Sequence, residues 1–328
     1  MRAVVLEEYG DSDVLQLKEI PDLEPGHGEV RVNVAASALN RADIQQRMGQ
    51  YPPPGTPKYE IPGLEFAGVV DKVGSEVSQW QIGDRVFGLL PGGGYAEQVV
   101  AHERMLMAIP QNLSFEQAAT IPEVFFTAYD ALIDKAGFQA GDIVLIHAGG
   151  SGVGTAATQL AKVKGAGSIF TTSRSTWKLE KSLEMGADRA IDTTTEDFDR
   201  FILEATDYYG ADIILDFVGA TYIEQNLKVA ALGCRIVQIA TLGGTHAQFD
   251  LRDIMSKRVR LQGTTLRSRP FEQKMALTQR FAKQMLPLFA DGRLKPVIDK
   301  TFSLEEVAQA HRYMEDDSNF GKIVLKIH

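Results

Sequence analysis

The segment "IVLIHAGGSGVGTAA", Ile143 to Ala157, joins a continuous apolar run to an amphipathic one through a glycine-rich turn. Its order reads as strand, tight loop and helix N-terminus. At such a junction unpaired N–H groups and the positive end of the helix dipole attract a pyrophosphate, and glycines let the backbone come close. Gly149, Ser151, Gly152, Val153 and Gly154 are the candidate phosphate contacts. Ser151 stands where the usual G-x-G-x-x-G has its middle glycine, and a small hydroxyl side chain is compatible with a nearby phosphate. An ordinary strand-to-helix turn would also use glycine, so the loop by itself says only that a dinucleotide fits.

The end of the next strand decides which dinucleotide. NAD sites place an acidic residue about 20 positions on, where it takes the ribose 2′-hydroxyl. Here the sequence reads "TTSRSTWKLEK", with Ser173, Arg174 and Lys178 and no Asp or Glu at the strand end. A 2′-phosphate carries close to two negative charges, which Arg and Lys are suited to neutralise. The expected cofactor is therefore NADPH.

These residues need elements to hold them. From "GDIVLIHAG" onward, short apolar runs alternate with helical patterns, with strands predicted at 143–146, 169–172, 190–192, 213–218, 236–240 and 259–261. That alternation is the signature of a doubly wound parallel sheet. The first third has different grammar. Val30, Val32 and Val34 alternate with polar residues, and "FAGVVDKV", "DRVFGLL" and "YAEQVV" follow between glycine turns, as in an antiparallel, barrel-like domain. Gly92–Gly94 reads as a hairpin turn, since no helix follows it. "EVFFTAYDALIDKAG" reads as a helix ended by Gly137, and a long helix is expected from Phe271 to Phe289. Ser303 and Glu306 fit a capping box before the closing strand "KIVLKI". The expected fold is α/β, with residues 123–263 forming the nucleotide-binding domain and residues 1–122 and 264–328 the other.

Composition bounds the rest. A chain of 328 residues holds two domains with real cores, and a net charge of −9 argues against a phosphate-reading nucleic-acid surface. No apolar run reaches the ~18 residues that span a bilayer, so no membrane partner is expected. "MRAVVLEEYG" is neither a signal nor a transit peptide. The single cysteine, Cys234, leaves no internal disulfide and no multi-cysteine metal site, and a cytoplasmic setting is expected.

The order and spacing of "GLEFAGVVDKVG", "GDRVFG", "GGYAEQV", "GDIVLIHAGGSGVG" and "FGKIVL" resemble the medium-chain dehydrogenase/reductase superfamily from end to end. Within it, "ASALNRAD", "GQYPPPG", "LLPGGG", "AIPE" and "LRSR" are similar to the zeta-crystallin-like quinone oxidoreductases. The resemblance implies a GroES-like catalytic domain beside a Rossmann domain, and a homodimer paired through the nucleotide-domain sheet edge near "VRLQGTTL". Zinc alcohol dehydrogenases of this superfamily use a Cys and a His where this chain has Asn40 and Leu64. A leucine cannot ligate zinc and a neutral amide is a poor replacement for thiolate, so no metal is expected. His147 closes a strand and is read as structural.

The resemblance also implies that Asn40 and Tyr51 act beside the nicotinamide. The Asn40 amide would donate to a carbonyl oxygen, and Tyr51 would stack or donate. Asp43, Gln45, Arg47, Leu64 and Arg267 are the implied pocket residues, with Asp43 and Arg47 orienting their segment by charge pairing. Gln45 replaces a tyrosine found in many bacterial-type relatives, which weakens any carry-over of substrate preference. Thr127, Thr193, Ala240, Thr241, Leu266, Phe320 and Lys322 are implied cofactor contacts. The resulting expectation is a zinc-independent NADPH:quinone oxidoreductase acting on small quinones. An enal or enone double-bond reductase is the first alternative, and a cofactor-loaded crystallin-like or RNA-binding protein without enzymatic activity is the second.

Overall fold

The computed structural model describes residues 1–328. Its contacts divide the chain into two units, Met1–Phe126 with Arg267–His328, and Thr127–Leu266. In the first, β1 (Arg2–Val5) pairs with β2 (Gln16–Glu19) in a separate antiparallel ribbon. Then come β3 (Glu29–Ala38), the short helix α1 (Arg41–Arg47), β4 (Glu65–Val73), β5 (Arg85–Leu89), β6 (Gln98–His102) and β7 (Leu106–Ala108). The alternation in β3 is a true two-faced strand: Val30, Val32 and Val34 are fully buried, and Asn33 between them is exposed. β3 pairs with β4 and β6, and β5 with β4 and β7, all antiparallel. Because β5 and β6 do not pair, Gly92–Gly94 is not the hairpin turn expected of it. Gly93 and Gly94 instead donate to the carbonyls of Ile61 and Gly63, fastening the loop to the chain just before β4.

Helices α2 (Phe115–Ala119) and α3 (Pro122–Tyr129) follow. The single helix expected from "EVFFTAYDALIDKAG" changes pitch at Asp130, where a π-helical turn runs to Lys135 and Ala136 N–H bonds back to Ala131. Within the second unit the buried Asp130 carboxylate accepts the Thr264 hydroxyl at 2.6 Å.

That unit is built from β8 (Ile143–Ile146), α4 (Gly152–Val163), β9 (Ser168–Ser173), α5 (Thr176–Glu184), β10 (Arg189–Asp192), α6 (Phe198–Ala205), β11 (Ala211–Asp216), α7 (Ile223–Val229), β12 (Ala230–Gln238), α8 (Leu251–Lys257) and β13 (Arg260–Gly263). The strands are parallel in the order β10-β9-β8-β11-β12-β13. Leu145, Phe170, Ile191, Ile214 and Ile236 fill the core, which explains why these strands read as apolar runs instead of alternating ones. The order reverses direction between β8 and β11. In open α/β sheets ligands bind at the carboxyl ends beside such a switch point, and the glycine loop leaves the end of β8.

The chain then returns to the first unit through α9 (Phe271–Ala290), β14 (Ile298–Ser303), α10 (Val307–Glu315) and β15 (Lys322–Lys326), completing the sheet order β14-β15-β3-β4-β5-β7. Ser303 N–H donates to Glu306 Oε2 at 2.8 Å, as its capping box requires. No helix is long and apolar enough to cross a membrane.

Candidate functional site

In the second unit, Ser151 is the N-cap of α4, its hydroxyl accepting the Gly154 N–H at 3.0 Å. The serine thus settles the helix start that a glycine would leave open. A Cβ on Gly154 would lie 2.4 Å from the Ala148 carbonyl oxygen, and one on Gly149 would lie 2.7 Å from Thr171 Cβ. Ala148 itself has a φ of 48°, a left-handed conformation uncommon outside glycine. The loop is therefore a tight backbone cradle at a helix N-terminus, the geometry that a pyrophosphate needs. Gly152 and Val153 open the first turn of α4.

Beneath the cradle lies a buried polar chain. The His147 Nδ1 sits 2.9 Å from the Thr172 hydroxyl, and its Nε2 sits 2.7 Å from Asn226 Oδ1. Asn226 Nδ2 donates onward to Asp216 Oδ2, while Asp216 Oδ1 caps Val218 and Gly219. Burial lowers the imidazole pKa and favours neutral His147. With an amide oxygen as its partner, Nε2 carries the proton. His147 thus ties β8, β9, β11 and α7 together and is structural.

Ser173 ends β9, and Arg174 next to it is exposed. Lys178 lies one turn into α5, buried, with its ammonium 5.4 Å from the Trp177 ring centroid. Thr193 just beyond β10 accepts the Tyr222 hydroxyl at 2.9 Å. Ala240 and Thr241 follow β12, and Thr127 and Leu266 are buried within this unit.

The first unit holds a second polar cluster, organised by a carboxylate that sequence reasoning missed. Glu65, fully buried at the start of β4, receives Asn40 Nδ2 at 2.9 Å and Lys322 Nζ at 2.7 Å on Oε1. Its Oε2 takes the Glu123 N–H at 2.8 Å, capping α3. Lys322 Nζ also donates to Asn40 Oδ1 at 2.6 Å and to the Leu39 carbonyl. An ammonium has no acceptor and a carboxylate no donor, so the two ions fix which end of the Asn40 amide is which. The signal that would have found Glu65 and Glu123 is a charge within an apolar stretch, in "GLEFAG" and "AIPEVFF".

Tyr51 is held by Arg267, whose guanidinium lies 5.0 Å from the ring centroid and donates to the Tyr51 carbonyl at 2.8 Å. The same guanidinium donates to the Pro91 carbonyl and to Gln46 Oε1, and Gln46 in turn donates to Glu60. Burial raises the Tyr51 phenol pKa, with the Glu123 carboxylate adding to the rise, so it stays a neutral donor.

Asp43 and Arg47, implied to orient their segment by charge pairing, are both buried and take different partners. Asp43 accepts Gly63 N–H on Oδ1, and Asn40 N–H and the Tyr95 hydroxyl on Oδ2. Arg47 is buried and bonds Glu315 on α10 and the Gly10 carbonyl. Lys322, implied as a cofactor contact, is buried and gives its three donors to Leu39, Asn40 and Glu65. Phe320 is buried with its N–H on Asp299, Leu64 is buried, and Gln45 is half-buried on α1.

Residues 152–284 match the family model described as zinc-binding dehydrogenase, and residues 26–111 match the alcohol dehydrogenase GroES-like domain. The chain is 34% identical over 340 residues to 2-methylene-furan-3-one reductase of Solanum lycopersicum, covering 99% of the chain and 79% of that protein. It is 32% identical over 328 residues to quinone oxidoreductase of Homo sapiens, covering 99% and 97%. It also matches large polyketide synthases, of which it spans only 7–18% of the length. A mycobacterial protein solved in complex with NADPH superposes with a TM-score of 0.90 at 27% identity, covering 100% of both chains. The zinc named in the first description does not fit this chain. No three His, Cys, Asp or Glu side chains are grouped to hold a metal ion, and the Asn40 amide is already spent on Lys322 and Glu65.

Proposed function

The chain belongs to the medium-chain dehydrogenase/reductase superfamily, and from that premise we propose that it is a zinc-independent, NADPH-dependent reductase of small quinones. The observation that carries this reading is the Asn40–Glu65–Lys322 cluster with Tyr51 and Arg267, a set of oriented hydrogen-bond donors with no metal-ligand set among them. NADPH, when bound, supplies a hydride to an electrophilic acceptor. Without a Lewis acid the protein contributes position and donors, which suffices for an acceptor as electrophilic as a quinone. Asn40 Nδ2 donates to Glu65 Oε1 at 2.9 Å and, at a longer 3.4 Å, to the Ala38 carbonyl; an acceptor carbonyl takes the second N–H in place of Ala38. The Tyr51 phenol, steadied by Arg267, is a second donor. A dinucleotide's phosphates are held by the Gly149–Gly154 cradle, and its 2′-phosphate by Ser173 and Arg174.

Reduction of an enal or enone is the second reading, favoured by the 34% identity to an enone reductase. Rates of NADPH oxidation with a small para-quinone and with a 2-alkenal separate the two. The first reading expects the higher kcat/KM for the quinone, reduced in Tyr51→Phe and Asn40→Ala. If neither substitution changes kcat/KM for any acceptor, these residues are not the acceptor site.

Cofactor choice gives a separate test. Arg174→Ala is expected to raise the KM for NADPH about tenfold and leave that for NADH unchanged. An exposed charge-assisted hydrogen bond is worth about 1.5 kcal/mol, close to one decade. Equal effects on both cofactors would remove Arg174 from the 2′-phosphate.

Homodimerisation belongs to the same proposal. β13 is the sheet's terminal strand, and all four of its residues are exposed, Leu261 at 45%. Such an edge pairs readily with a second copy. Light scattering is expected to give twice the 36.0 kDa chain mass at micromolar concentration, and a monomer there would overturn the pairing.

A further inference from the structure

Most charged groups of the polar cluster have partners. Glu65 holds three donors, Asp43 holds three, and Arg267 donates to three acceptors. Glu123 differs. Its main-chain N–H is pinned to Glu65 Oε2 at 2.8 Å, but its half-buried carboxyl makes no hydrogen bond or ion pair within the chain. Through its main-chain N–H the residue stands one step removed from the Asn40 amide, since the Glu65 carboxylate holds both N–H groups. It also acts electrostatically on Tyr51 and Arg267, the two groups that shape the candidate acceptor site. A carboxyl with no partner in the chain, on a residue tied to the same carboxylate that holds the Asn40 amide, is equipped to exchange a proton with whatever that amide holds.

We propose that Glu123 is the proton donor of the reaction, delivering its carboxylic proton to the carbonyl oxygen of the reduced acceptor. This rests on the reductase reading above. A quinone that has received a hydride carries one negative charge on oxygen. The Glu123 O–H bond breaks, a new O–H bond forms on that oxygen, and the hydroquinone leaves neutral. The carboxylate left on Glu123 regains a proton from solvent. The net reaction consumes one quinone, one NADPH and one proton, and yields hydroquinone and NADP⁺.

The surroundings suit a donor that stays protonated at neutral pH. Burial pushes the Glu123 carboxyl up to about 8, helped by the Glu65 and Asp43 carboxylates and opposed by Lys322 and Arg267. Tyr51, on the loop after α1, and Lys274, on α9, are the other ionisable groups within its field. A general acid works best with a pKa near the working pH.

The pKa also has a signature in stability. A folded-state value above the ordinary carboxyl value means that the folded protein retains a proton the unfolded chain has lost. The stabilisation is complete below about 4.5 and is lost as pH rises through about 8. Glu123→Gln cannot titrate, so its melting temperature relative to wild type is expected to rise steadily from pH 5 to pH 9.

The deciding experiment measures kcat from pH 6 to 9 with NADPH and a small para-quinone, for wild type, Glu123→Gln and Glu123→Asp. Wild type is expected to lose activity as pH passes 8. Glu123→Gln is expected to be at least about 100-fold slower at pH 7, the low end for a lost general acid, and to lack that alkaline limb. Glu123→Asp is expected to recover part of the rate with the limb displaced. In apo protein carrying ¹³C-labelled glutamate, one carboxyl resonance is expected to titrate near pH 8 and to be missing from Glu123→Gln. Active wild type with an unchanged profile in Glu123→Gln would assign the proton to solvent and overturn the proposal. So would a Glu123 carboxyl that titrates near 4.5. Wild type that oxidises NADPH with neither quinone nor enal would instead overturn the reductase reading, and the proton donor with it.

Discussion

Glu65→Leu is expected to lower the unfolding free energy by about 3–5 kcal/mol, the usual cost of removing one partner of a buried ion pair. Glu65 is fully buried and Lys322 has a side-chain exposure of 4%, so the ammonium left behind would face only the Leu39 carbonyl and the Asn40 amide oxygen. The Glu123 N–H at the start of α3 would lose its cap as well. At about 2–4 °C per kcal/mol for a unit of this size, the melting temperature should fall by roughly 6–20 °C. The double variant Glu65→Leu/Lys322→Met separates charge from packing. Replacing a buried pair entirely by apolar side chains is often close to neutral, so the double variant should regain most of the loss. Were it as unstable as Glu65→Leu alone, the ion pair would not be what matters there. The recovered protein would still be a poor enzyme, because nothing would then hold the Asn40 amide in one orientation.

That cluster marks the boundary of what can be read from the chain alone. Period-two valines in β3, the strand–loop–helix order at Ile143–Val163 and the Ser303–Glu306 box are local patterns, and local patterns survive in a linear sequence. Lys322 and Glu65 meet only because β15 and β4 flank β3 in one sheet. Neither residue has a neighbour in sequence that announces the other. The family resemblance implied that Asp43 and Arg47 orient their segment by charge pairing, without saying with which partners. The structure gives Asp43 to the N-terminal cap of α1 and Arg47 to Glu315 because both side chains point into a core built from distant strands. The π-helical turn at Asp130–Lys135 has no periodic signature either, since one added residue per turn does not change which residues are apolar. Glu123 was passed over for a related reason. A single charge at a helix start normally faces solvent and favours the helix dipole, and only the placement of Glu65, Tyr51 and Arg267 makes this one different.

In the dinucleotide loop the largest effect should come from Gly154, not from the unusual Ser151. Gly154→Ala is expected to weaken NADPH binding by about 100-fold, and Gly154→Val by more. The added Cβ would stand 2.4 Å from the Ala148 oxygen and 2.7 Å from the Gly149 oxygen. Both are main-chain atoms, and neither can rotate away as a flexible side chain would. Ala148 already sits at a positive φ and Gly149 N–H is tied to the Thr172 carbonyl at 2.9 Å, so the loop can yield only by opening. Overpacking of this kind costs about 3 kcal/mol, which is close to two decades of affinity if the distortion falls on the phosphate cradle. Ser151→Gly should behave oppositely. Glycine at an N-cap costs only a few tenths of a kcal/mol relative to serine, so NADPH affinity should stay within about twofold. Fluorescence titration with NADPH reads both constants, and urea unfolding checks that each variant is folded. If Gly154→Ala bound NADPH as wild type does, the cradle would be wide enough for a side chain, and the close approach of backbone to phosphate would have to be abandoned. If Ser151→Gly proved the more damaging, the serine hydroxyl would be contacting the phosphate itself and not merely starting the helix.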